Sequence, residues 1–86
     1  MTATPPLWFD PARVILSVDV SAMLARGVHP LQQVQESLES AAPGDIVELR
    51  SAFEPAPLLQ FFRDRRMEVW CGEEAGSFHT CIRKPG

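Results

Sequence analysis

The sequence predicts an α/β (α+β) fold: a two-layer sandwich in the order β-α-β-α-β-β, with a four-stranded mixed sheet and two helices on one face. Three observations lead there. Residues 45–50 alternate, Val47 and Leu49 against Glu48 and Arg50, as a strand with one buried face does. Just downstream, Leu58, Leu59, Phe61 and Phe62 recur at helical spacing, with Gln60, Arg63 and Arg65 mostly outside the stripe. Residues 67–71 and 78–83 read as two strands joined by a glycine-bearing turn over residues 72–77. The helical crossover between the first two strands makes them parallel and the hairpin is antiparallel, so the sheet is mixed.

The chain begins with a proline-rich leader, residues 1–12, followed by a single domain over 13–86. Pro5, Pro6 and Pro11 forbid a regular helix in the leader, which also lacks the basic start and unbroken apolar run of a secretory signal. A cytoplasmic protein is expected. Leu7, Trp8 and Phe9 are too apolar for a solvated tail; they are expected to cover a sheet edge or the open sheet face, with a partner contact as the alternative.

Residues 13–20 form the first strand, carried by Val14, Ile15, Leu16, Val18 and Val20. Ser21 is expected to cap a short helical turn through Ala22, Met23 and Leu24, closed by Gly27 in a left-handed conformation. His29 then stands at a helix cap and Pro30 at the first helical position. Leu31, Val34 and Leu38 make the buried stripe of that helix, whereas Gln32, Gln33, Glu36 and Glu39 stay wet. Ala42-Pro43-Gly44-Asp45 stops the helix and turns into the second strand.

The join between that strand and the next helix, residues 51–58, is the most specific stretch of the chain. Pro55 and Pro57 have no amide hydrogen, so they suit an extended approach and a first helical turn but not the body of either element. Glu54 places its charge near the helix N-terminus. The structural reading is a rigid connector; the functional reading is a rim that faces a partner or an anion. In the closing hairpin, a two-residue turn at Ala75-Gly76 is the simplest register.

With 86 residues, 45% hydrophobic, the chain has a modest core and no room for a deep pocket with many walls. A net charge of -3 argues against a nucleic-acid surface, because phosphate binding needs a concentrated positive field. The Arg63, Arg65 and Arg66 cluster sits where a helix C-terminus attracts cations on dipole grounds.

The segments 19–27 (Asp-Val-Ser-Ala-Met-Leu-Ala-Arg-Gly), His29-Pro30-Leu31, Pro43-Gly44 and Phe53-Glu54-Pro55-Ala56-Pro57-Leu58 resemble the bacterial family called domain of unknown function 2249. That family is similar to the SirA-like and TusA-like sulfur-carrier proteins. The resemblance spans residues 14–83 and implies the same sandwich. Sulfur carriers bear a Cys-Pro-x-Pro motif at the start of the first helix, where the helix N-terminus lowers the thiol pKa. Aligning on Leu31, Val34 and Leu38 puts Pro30 on the second proline and Gly27 on the cysteine, so the carrier thiol is missing. The resemblance thus implies an accessory role beside metal-binding or redox modules rather than sulfur relay itself.

Two functional expectations follow. The first is a non-enzymatic interaction or accessory module with no cofactor, which binds a protein partner through Gly27, His29, Pro30, Phe53, Glu54, Pro55 and Pro57, joined by Trp70 if that ring lies on the open sheet face. It binds neither nucleic acid nor membrane and is a monomer or weak homodimer. The second is a thiol or metal module. In the simplest hairpin register Cys71 shares a face with Thr80 and Ile82, and His79 and Cys81 share the other; a one-residue shift would bring Cys71, His79 and Cys81 together as soft ligands.

Overall fold

A computed structural model describes residues 5–85. Residues 1–4 of the expected leader, and residue 86, lie outside the described part. The elements are β1 (Val14–Asp19), α1 (Val20–Ala25), α2 (Pro30–Ser40), β2 (Ile46–Ser51), α3 (Ala56–Asp64), β3 (Glu68–Glu74) and β4 (Ser77–Arg83), preceded by a 3-10 turn over Pro11–Arg13. The sheet runs β1-β2-β4-β3, with β1 and β2 parallel and the other pairs antiparallel. This is the expected mixed α/β sandwich, with a third, shorter helix where a single turn was expected.

Alternation in β2 fixes the two faces. Val47 pairs with Leu16 and Ile82, and Leu49 with Val18 and Thr80; together with Val34 and Leu38 of α2, Phe62 of α3 and Val20 and Met23 of α1 they build the core on one side of the sheet. Burying each such side chain contributes about 1.5–3 kcal/mol. Glu48, Arg50, His79, Cys81 and Trp70 alternate onto the opposite face.

Two helix starts differ in their chemistry. Strand β1 ends one residue earlier than its apolar run, and Val20 becomes the first residue of α1. Asp19 therefore takes the cap position and its carboxylate accepts from the Ala22 amide at 3.0 Å. Ser21, the expected cap, instead accepts from the Ala52 amide at 3.0 Å and ties α1 to the β2–α3 join. His29 occupies the cap position of α2 as expected, with Pro30 following, but its ring makes no capping hydrogen bond.

The hairpin takes the two-residue turn. Glu74 pairs with Ser77, and Ala75 and Gly76 have φ of 52° and 82°, the paired positive values that a tight turn between twisted strands requires. Of the leader's aromatic cluster, Phe9 sets its ring edge against His79, centroids 6.0 Å apart, on the sheet face without helices. Leu7 is fully exposed and covers nothing.

Candidate functional site: an apolar groove at the helix starts

The two segments singled out in the sequence meet in space. The end of α1, the start of α2 and the β2–α3 join enclose a groove of about 220 Å³ lined by Val20, Leu24, His29, Pro30, Leu31, Phe53, Pro55, Pro57, Leu58 and Phe61. Five of the seven expected partner-binding residues are in this lining: His29, Pro30, Phe53, Pro55 and Pro57. Gly27 and Glu54 are exposed outside it.

Local chemistry explains the convergence. Gly27 turns the chain back after α1 with φ 74°, and the Val28 amide donates to the Met23 carbonyl at 2.9 Å, which brings Pro30 over α1. On the other side, the Ser51 hydroxyl donates to the Phe53 carbonyl at 2.6 Å and the Ala56 amide to the Glu54 carbonyl at 2.9 Å. These bonds and the two prolines fix the path of the join. Helix α3 buries Leu59 and Phe62 toward the sheet, which leaves Leu58 and Phe61 half-buried at the groove.

Phe53 and Val28 are each 44% exposed and Leu24 41%. Of these, Leu24 and Phe53 line the groove and Val28 lies outside it. The lining holds no thiol, hydroxyl or carboxylate, and His29 is its sole titratable group. At about 220 Å³ the groove is also smaller than the 300–1,000 Å³ typical of small-molecule sites.

Trp70 belongs to the other surface. It pairs with Cys81 and points edge-on at His79, centroids 5.7 Å apart, on the sheet face opposite the helices. It therefore does not extend the groove.

The expected ligand trio of Cys71, His79 and Cys81 does not form. The hairpin register pairs Cys71 with Thr80, whose hydroxyl donates to the Cys71 sulfur at 3.4 Å on the helix side of the sheet. His79 and Cys81 face the other way, where Glu48 of β2 joins them: His79 Nε2 is 2.7 Å from Glu48 Oε2 and 3.6 Å from Cys81 Sγ. Both cysteines are free thiols. Burial pushes the Cys81 thiol up to about 12, with the Glu48 charge adding to the effect. A buried thiol of this kind is a poor nucleophile at neutral pH.

Against known proteins, no family model, curated protein or solved structure matches the chain. Among the described residues, no helix is long and apolar enough to cross a membrane.

Proposed function

We propose that the protein is a non-enzymatic interaction or accessory module with a SirA-like or TusA-like sandwich, acting in the cytoplasm without the carrier cysteine. The observation that carries this reading is the convergence of two sequence-distant segments, around His29-Pro30 and Phe53 to Pro57, on one exposed apolar groove. The groove's chemistry selects a protein partner that inserts an apolar side chain, with Phe53 as the aromatic anchor on this side. Gly27, at the carrier position, offers no group for sulfur transfer.

The test is a photo-crosslinking residue placed at position 53, compared with the same residue at the wet position Glu36. A partner captured at 53 and not at 36 is then purified, and its affinity for the wild type and for Phe53→Ala is measured by calorimetry. Anchor loss predicts at least about a tenfold weakening with the thermal melt nearly unchanged. Equal capture at both positions, or equal affinity of the variant, removes the groove from the function.

A further inference from the structure

On the sheet face that carries no helix, three different ligand types converge without any shift of register. The antiparallel pairing of β2 with β4 sets Glu48 opposite Cys81, and His79 follows two residues away on the same face. One carboxylate oxygen, the imidazole Nε2 and the thiol sulfur lie within 4.8 Å of one another. Tetrahedral zinc, with bonds of about 2.3 Å to sulfur and about 2.0–2.2 Å to nitrogen and oxygen, needs sulfur and nitrogen about 3.6 Å apart and nitrogen and oxygen about 3.4 Å apart. The Cys81 to His79 separation is already 3.6 Å. The Glu48 to His79 contact of 2.7 Å is shorter than that spacing, so an entering ion has to part these two groups by about 0.7 Å.

We propose that Glu48, His79 and Cys81 form a site for a divalent transition-metal ion of the zinc type, with three protein ligands and a fourth position for water or an incoming group. The donor set of thiolate, imidazole and carboxylate selects zinc over magnesium or calcium, which take oxygen ligands throughout.

The surroundings hold the ligands in place. Ser17 donates its hydroxyl to Glu48 Oε1 at 3.3 Å, which leaves Oε2 toward His79. The rings of Phe9 and Trp70 meet the imidazole edge-on, at interplanar angles of 86° and 90°, and limit its rotation. Side chains of His79 and Glu48 are 18% and 20% exposed, so an ion has a route in, whereas Cys81 forms the closed floor. Binding replaces the sulfur–hydrogen bond of Cys81 with a sulfur–metal bond and releases the proton to solvent; no electron is transferred. This site lies across the sheet from the groove and does not depend on it.

The experiment strips the full chain with a chelator and titrates zinc in competition with a chromophoric indicator. Cobalt(II), whose charge-transfer absorption reports a thiolate bond, serves as the spectroscopic probe. One equivalent of zinc and a thiolate–cobalt band are expected for the wild type. His79→Gln, Glu48→Gln and Cys81→Ala should each weaken zinc binding about a hundredfold or more, and Cys71→Ser, on the other face, should leave it within about twofold. His79→Gln, at a position less buried than Cys81, is the variant to rely on if Cys81→Ala does not fold, with circular dichroism as the check. No zinc uptake by the wild type, a cobalt complex without the thiolate band, or equal loss in Cys71→Ser would overturn the proposal.

Discussion

Arg13 and Asp45 clasp together the adjacent starts of the parallel strands β1 and β2. Arg13 Nη2 lies 2.9 Å from Asp45 Oδ1 and donates to the Pro43 carbonyl at 2.9 Å, while Asp45 Oδ2 accepts from the Ala42 amide at 2.9 Å. The same turn is held from the C-terminal side, where Lys84 Nζ donates to the Ala41 carbonyl at 2.8 Å. The Arg13 side chain is 45% exposed, so the ion pair itself adds little and the amide bond to Asp45 carries more of the effect. Asp45→Ala should therefore cost about 1–2 kcal/mol, read as a melting temperature lower by roughly 5–12 °C. Arg13→Ala should cost less than about 1 kcal/mol.

Gly44 sits inside that clasp with φ 92°, and a Cβ there would come within 3.1 Å of Arg13 Nη2. Gly44→Ala adds contact to backbone strain and should lose about 1–2 kcal/mol in a denaturant titration. In an Arg13→Ala background the steric part of that loss should disappear. Gly27→Ala, at φ 74° with nothing near the added methyl, should show the backbone part alone.

Phe62 and Phe53 separate a structural from a surface role within one short stretch. Phe62 is 1% exposed in the core, and Phe62→Ala should cost about 3–5 kcal/mol, much of the stability of a domain this small. Phe53→Ala removes a side chain already half in water and should cost under about 1 kcal/mol. Urea titrations of both variants check the contrast.

Cys81 should resist alkylation in the metal-free folded protein near neutral pH, and half-buried Cys71 should react first. Peptide mapping after limited iodoacetamide treatment reads the order. The thiol also makes stability depend on pH. Its folded pKa is raised from 9.0 to about 12, so the unfolded chain deprotonates first; the contribution is fully present below about pH 9 and is lost as pH rises toward 12. Wild type should lose stability over that window more steeply than a folded Cys81→Ala variant.

The faces of individual strands could be read from residue order because side chains alternate with a period of two. Val47 and Leu49 against Glu48 and Arg50 needed no partner to be assigned, whereas the hairpin admitted two registers, and the strand pairing around Ala75-Gly76 is what puts Cys71 and Cys81 on opposite faces. The prolines at 30, 55 and 57 likewise announced two helix starts. Asp19 as the α1 cap was harder to see: Ser21 is an equally good capping residue, and the choice rests on where β1 stops pairing with β2.

Local periodicity and turn chemistry therefore suffice for the elements, their order and which residues turn inward, since each depends on only a few neighbours along the chain. Strand order does not follow from such information. That β4 rather than β3 lies beside β2 is decided by packing, and this brings Glu48 to His79 and Cys81 across 31 and 33 residues of sequence. The groove is tertiary in the same sense: α1, α2 and α3 must share one face of the sheet before His29 and Phe53 line a common wall.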